Sequence, residues 1–384
     1  MKNYRIKYYL LPALFLAFLL LPFLNEEFQF FDPGETNEKR ELADKPILSL
    51  DSIDQFPPAY DAYLGDHFNL RNFYIKWHSY VDYKFLNKSS YPDLVVVGKK
   101  GWLFYNEGLF PVDWKSNYFS NKEMQQFASL IQKRTEYYKS LGTDYYVFII
   151  PNKQTVYSEF LPNRLDMKET CETENRIDQL LAYYTDTTGL QNVVYLRQIL
   201  LNMKKEGLLY KKLDHHWNDL GSFYASSFIL EKISEDNPNL KNVLNLDNFE
   251  VYYDEKYAGD LTAMLGIENL CSEELPYLKC INSSLNLEIG NLRYYTPLQH
   301  FPYPDEYEKV MTTGDTSLPK AVIIRDSFAS FMLWQLSYGF NETIYIWDFW
   351  NYGLNAEIIE KERPEFVINI LVEKNVETLI KSKK

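Results

Sequence analysis

The stretch Ala321–Met332, AVIIRDSFASFM, decides the reading of this chain. Four apolar residues, two of them β-branched isoleucines, run into Arg325-Asp326-Ser327. Phe328, Phe331, Met332 and Leu336 follow at helical spacing, up to Gly339. A buried parallel strand that feeds a helix has this pattern. Ser327 is thereby expected on the strand-to-helix turn, beside backbone N–H groups that favour negative charge and can hold an oxyanion. The bland role of such a serine is a helix N-cap, which is compatible with a nucleophile. Asp326 reads as a partner of the helix dipole, and Arg325 as a structural ion pair or a substrate clamp.

A serine needs a base. The chain has five histidines: His67, His78, His215, His216 and His300. Two stand in Leu213-Asp214-His215-His216-Trp217-Asn218, behind a carboxylate. If the segment is extended, Asp214 and His216 point the same way. Asp214 can then hold Nδ1–H of His216 and leave Nε2 for Ser327. His215 as the base is the alternative, and so is a solvated turn whose Asp caps the next helix. Asp-His-His also occurs in metal phosphoesterases, but their further Asp-x-Asp and His motifs are missing, so neither metal nor cofactor is expected. Asn351 and Asn369 are considered as oxyanion donors.

The rest of the chain supplies the context. Its 384 residues are 46% hydrophobic and 24% charged, as in a folded protein, and the net charge of −13 argues against tracking nucleic-acid phosphates. Aromatic residues reach 17%, which suits either core packing or sugar surfaces. Residues 1–7 carry Lys2, Arg5 and Lys7, and the uncharged Tyr8–Leu24 is closed by Asn25-Glu26-Glu27. This pattern predicts a cytoplasmic tail, a transmembrane anchor over 8–24 and everything else outside the membrane. No small-x-small cleavage site follows the apolar run. Residues 25–52 read as a tether and 53–92 as a helical collar rich in aromatics.

From residue 93 to 384, a hairpin and then helices alternating with short apolar strands predict a three-layer α/β/α domain on a parallel sheet. It is interrupted by an irregular insertion over 236–313. Of the three cysteines, Cys271 and Cys280 could bridge and leave Cys171 over.

Asp-x-His-Trp, then over a hundred residues, then apolar strand and Arg-Asp-Ser-Phe resembles the SGNH-hydrolase-like acetyltransferases of alginate O-acetylation (AlgX/AlgJ), and most of all the DHHW group. Gly65-Asp66-His67-Phe68, Val97-Gly98-Lys99-Lys100-Gly101-Trp102, Ile150-Pro151-Asn152-Lys153 and Gly259-Asp260-Leu261-Thr262 fit the same pattern. The resemblance implies an SGNH-like fold behind a transmembrane helix, and an extracytoplasmic O-acetyltransferase acting on an exopolysaccharide or cell-wall polymer. It implies Asp214, His216 and Ser327 as the triad and an acetyl donor supplied through a membrane-bound O-acyltransferase. His215, Trp217 and Arg325 are expected near the substrate. A carbohydrate esterase or deacetylase with the same triad and a non-catalytic glycan-binding or assembly protein are the alternatives. The chain departs from the pattern at Glu373-Lys374, where relatives often have Glu-Arg. No carbohydrate-binding module like that of AlgX follows, so sugar recognition is expected on the domain itself.

Overall fold

The computed structural model describes residues 2–32, 42–106, 118–165, 174–240, 242–297, 301–348 and 351–382. His300, Cys171 and residues 33–41 of the tether lie outside them. The chain forms two compact units. One is Met1–Ser90 with Leu265–Ile267, the other Tyr91–Met264 with Glu268–Lys384.

In the first unit the helix Lys2–Phe28 includes Tyr9–Phe28, a segment long and apolar enough to cross a membrane, which fits a single anchor or a signal. Pro22 inside it has no N–H for the carbonyl of Phe18, and the Tyr74 hydroxyl donates to that carbonyl at 2.9 Å instead. The collar is two helices, Phe56–His67 and Arg71–Leu86, separated where Leu70 adopts φ 65°. Asp66 accepts from the Ala43 amide, and His67 Nε2 donates to the Ala43 carbonyl, each at 2.9 Å. The Gly-Asp-His-Phe motif therefore pins the preceding strand of chain. His78 lies 3.7 Å from Asp82, one turn along its helix.

The second unit contains, in chain order, β1 (Val95–Val97), β2 (Leu103–Tyr105), β3 (Asp144–Ile150), β4 (Val193–Tyr195), β5 (Phe249–Tyr257), β6 (Glu273–Cys280), β7 (Glu288–Ile289), β8 (Glu308–Thr312), β9 (Lys320–Arg325), β10 (Glu342–Trp347) and β11 (Phe366–Val372). Seven of them form one sheet in the order β4-β3-β11-β9-β10-β8-β7. The first five are parallel, and β8 and β7 add two antiparallel strands at one edge. Because strand side chains alternate, Phe148, Ile150, Ile323 and Ile370 enter one core with the helices Arg197–Met203 and Asp219–Ser234. Val147, Ile149, Val322, Ile324 and Leu371 enter the other, with Asn121–Ser140, Arg176–Thr188 and Ala356–Glu362. These are the three layers that the alternation of helices and strands implies.

The helix from Asn121 is capped by Ser120, whose hydroxyl receives the Glu123 amide while Glu123 returns to the Ser120 amide, a capping box. Two local expectations change. The 236–313 region is less irregular than its composition suggests. β5 and β6 pair as an antiparallel ribbon within it, and β7 and β8 extend the main sheet. Cys280 ends β6 and Cys271 lies two residues before its start; the seven residue steps from Glu273 to Cys280 alone span roughly 23 Å, too far for this pair to bridge.

Glycine is obligatory at Gly98, where a Cβ would stand 2.4 Å from the Phe160 carbonyl oxygen. Gly65, by contrast, has open space around it and lies within a helix. Gly98→Ala is therefore expected to cost about 2 kcal/mol or more, from overpacking. Gly65→Ala should be neutral or stabilising by about 0.5 kcal/mol. The urea midpoints of the two full-length variants check this.

Candidate active site

The strand β9 ends at Arg325, and Asp326 turns the chain. Its Oδ1 receives the Phe328 amide at 3.0 Å, so Asp326, not Ser327, is the capping residue. Its Oδ2 receives the Val372 amide (2.7 Å), the Asn375 side-chain amide (2.9 Å) and the Tyr352 hydroxyl (3.2 Å), which ties the turn to the end of β11. The expected long helix is a 3-10 turn, Ser327–Phe331, followed by the short helix Leu333–Ser337, broken where Met332 takes φ −119°. Ser327 opens the 3-10 turn with its side chain partly exposed.

The loop 211–216 comes to meet it. His216 Nε2 lies 2.9 Å from Ser327 Oγ, and His216 Nδ1 lies 2.8 Å from Asp214 Oδ1. The same carboxylate oxygen receives the His216 amide at 2.8 Å. The backbone here bends rather than extends, so it is this local turn that aligns a carboxylate with an imidazole two residues on. Burial disfavours the charged form of Asp214, but the hydrogen bond from His216 and the nearby charges of His216, Lys211 and His215 outweigh it, holding its carboxyl well below the usual range. Burial, followed by the charge of His215, lowers His216, which keeps its imidazole neutral and able to take a proton.

The loop is clamped from four sides. Lys153, buried, donates through Nζ to the carbonyls of Leu103 (2.5 Å), Lys212 (2.8 Å) and Asp214 (3.0 Å). Its ammonium lies over the Trp102 and Phe104 rings at 5.0 and 5.1 Å, and burial pushes it down to about 7. Glu273, at the start of β6, accepts the amides of Lys212 (2.6 Å) and Leu213 (2.8 Å). The Leu103 amide of β2 donates to Lys212 at 3.0 Å. The turn Gly259-Asp260-Leu261 lies against Leu213: a Cβ on Gly259 would be 2.1 Å from the Leu213 carbonyl oxygen, and the Leu261 amide donates to that oxygen at 3.2 Å. Asp260 then accepts the His215 amide at 3.1 Å and His215 Nδ1.

A recess beside this pair of histidines is lined by Tyr105, Asn152, Gln154, His215, Phe328 and Lys374. Trp217 and Arg325, expected near the substrate, are both fully buried. Trp217 Nε1 donates to the Phe328 carbonyl at 2.9 Å and so locks the loop onto the serine turn. Arg325 donates to Ser330 (2.7 Å), to the Asp326 carbonyl (3.2 Å) and to the Glu306 carbonyl (3.1 Å), with its guanidinium 4.7 Å from the centre of the Trp347 ring. Both positions brace the site from behind. Asn351 is occupied with Asp348 at 3.2 Å, and Asn369 is buried within β11. Neither lines the recess.

Asp214, His215, His216 and Asp260 bring potential ligand atoms within 4.8 Å of one another. A tetrahedral cation with bonds of about 2.0–2.1 Å separates its ligand atoms by roughly 3.3 Å. The 2.8 Å between His216 Nδ1 and Asp214 Oδ1 is a hydrogen-bond distance, shorter than that separation. Sequence reasoning missed Lys153 and Glu273; the only trace was the Pro-Asn-Lys motif, which named Lys153 without a role.

The sheet order, the serine turn and the Asp-His loop define an SGNH-hydrolase-like domain. Residues 95–281 match the family of SGNH hydrolase-like domains of the acetyltransferase AlgX, a segment that holds Asp214 and both histidines and ends before Ser327. The chain is 26% identical over 203 residues to a probable alginate O-acetylase AlgJ of Pseudomonas putida, covering 51% of this chain and 48% of that protein. It is 23% identical over 236 residues to a probable alginate O-acetylase AlgJ of Pseudomonas aeruginosa, covering 61% and 55%. The chain thus spans about half the length of these relatives. The structure of Bacillus cereus PatB1 shares the fold, with a TM-score of 0.53 and 17% identity over 74% of this chain and 97% of that one. Over residues 95–281 the chain is therefore similar to an SGNH hydrolase-like domain, and over about half to three fifths of its length it is similar to probable alginate O-acetylases.

Lys153→Met would take the ammonium donor from the carbonyls of Leu103, Lys212 and Asp214, of which the Lys212 carbonyl keeps the Leu103 amide. It is expected to cost roughly 2–3 kcal/mol, from unmet buried acceptors, while Lys153→Arg recovers part of it. Urea denaturation of the full-length variants reads this.

Proposed function

We propose that the protein transfers acetyl groups to hydroxyls of an extracellular or cell-wall polysaccharide, with Asp214, His216 and Ser327 as its catalytic residues. The observation that carries this reading is the unbroken hydrogen-bonded series Asp214–His216–Ser327, at 2.8 and 2.9 Å; the sequence neighbours His215 and Phe328 line the recess. His216 Nε2 takes the Ser327 proton as Oγ attacks the donor's acetyl carbonyl, and returns it to the leaving group. Asp214 keeps Nδ1 protonated and stabilises the imidazolium. A sugar hydroxyl then gives its proton to Nε2, attacks the acetyl ester, and Ser327 recovers the proton. The relatives' description as alginate O-acetylases supports a polysaccharide acceptor over water. The apolar N-terminal helix supports a membrane-held protein with a cytoplasmic N-terminus and the domain outside, where a membrane-bound O-acyltransferase can supply acetyl groups.

With full-length protein in detergent, an acetyl ester donor and a panel of oligosaccharide acceptors, acetylated sugar should appear and vanish in Ser327→Ala. Acetate as the sole product would make the protein an esterase, and turnover that survives Ser327→Ala would remove the serine from the mechanism. Because burial and His215 lower His216, the neutral base persists below its ordinary value of 6.5. The acid limb of kcat/KM is therefore expected below pH 6.5, rising toward it when His215 is replaced by Phe, as a pH–rate profile would show.

A further inference from the structure

The site holds two Asp–His pairs, and the mechanism above uses one. His215 has its amide and Nδ1 both on the Asp260 carboxylate, just as His216 has both on Asp214. The two rings lie against each other, with centroids 3.7 Å apart and planes 38° apart. His216 Nε2 faces Ser327. His215 Nε2 has no hydrogen-bond partner among the described residues, and its ring lines the recess. A carboxylate only accepts, so Asp260 fixes the Nδ1–H tautomer of neutral His215 and leaves Nε2 as a hydrogen-bond acceptor. Aromatic walls flank it, Tyr105 at 5.4 Å and Phe328 at 5.7 Å between ring centroids. The Gly259-Asp260 turn that carries the carboxylate is held by its close approach to Leu213, so the second pair is tied to the same loop as the first, with the His215 amide and Nδ1 on the two separate oxygens of Asp260.

Two imidazole acceptors side by side match two hydroxyls side by side. We propose that His215, positioned by Asp260, binds the hydroxyl adjacent to the one being acetylated, so that the enzyme selects acceptors presenting a vicinal diol on a ring. This rests on the acetyltransferase reading above and names the acceptor chemistry of that same site. His215 is a substrate-positioning residue here: the reacting hydroxyl gives its proton to His216, while its neighbour donates a hydrogen bond to His215 Nε2 and keeps its proton. Bound this way, the diol loses rotational freedom about the bond to the reacting oxygen, which raises the rate of transfer over attack by water.

The test uses the full chain in detergent, p-nitrophenyl acetate as donor, and trans-1,2-cyclohexanediol or cyclohexanol as acceptor. The readout is the ratio of acetylated acceptor to free acetate. The wild type should favour the diol by about tenfold or more, as expected for a buried polar group left unpaired by the mono-ol. His215→Phe, which keeps a ring but no acceptor, should bring the two acceptors to within about twofold. Asp260→Asn, whose amide can donate to Nδ1 and move the proton to Nε2, should do the same by turning the acceptor into a donor. A diol preference that survives both substitutions, or a wild type that treats the two acceptors alike while forming a Ser327-dependent acetyl-enzyme, overturns this inference alone. No Ser327-dependent acetyl-enzyme in the wild type overturns the underlying reading and this inference with it.

Discussion

The structure depends on holding one short loop still. His216, held by Asp214, meets Ser327 at a sequence separation of 111, and hydrogen-bond geometry tolerates little drift. The loop 211–216 has no helix or strand ladder of its own to stiffen it. Its rigidity comes from buried charge: the Lys153 ammonium on three carbonyls and the Glu273 carboxylate on two amides, with the Gly259 turn pressed against Leu213. Charge-assisted hydrogen bonds are the strong kind, and several from one group fix a loop in all directions. Trp217 completes the hold by joining the loop to the serine turn through its indole N–H.

The sheet supplies the other half of the geometry. β9 is a central strand, flanked by β11 and β10, so its carboxyl end is the least mobile place from which to present a side chain. Asp326 spends its carboxylate on that presentation, bonding to the turn amide and to the end of β11. Glu373, next along, does the corresponding work for the Asn152–Thr155 turn, accepting the Asn152 amide at 3.0 Å and the Thr155 hydroxyl at 2.9 Å. The acidic residues around the site are therefore divided between two tasks. Asp326, Glu273 and Glu373 order backbone, while Asp214 and Asp260 order imidazoles.

Much of this was legible in the residues. The apolar run before Arg-Asp-Ser places a strand and a turn, because a continuous β-branched run has few other folds, and β9 ends where that run does. The proximity of Asp214 and His216 followed from their spacing, although a bent turn, not an extended segment, achieves it. Periodicity was a poorer guide after Ser327, since Phe328, Phe331 and Met332 at helical spacing are equally served by a 3-10 turn and a short helix. Motif position was a poor guide for Trp217 and Arg325, both fully buried: lying beside His216 or near Ser327 in sequence does not place a side chain on the same side of the backbone. The clamps at Lys153 and Glu273 were out of reach because their partners are backbone groups of distant segments, which leave no mark on the side-chain pattern. The ribbon β5–β6 was hidden by its Tyr, Glu and Pro residues and by the exposure of Glu250–Glu255, which leaves no alternation of apolar and polar residues to read.

The central claim is that Ser327 carries the acetyl group between donor and acceptor. Its most direct measurement is rapid-quench mass spectrometry of the full-length protein mixed with an acetyl ester, with peptide mapping of the modified residue. The account predicts one acetyl group on Ser327 that disappears when an oligosaccharide acceptor is added, and fails to accumulate in His216→Ala. An acetyl group on another residue, or turnover with Ser327 never modified, would contradict it.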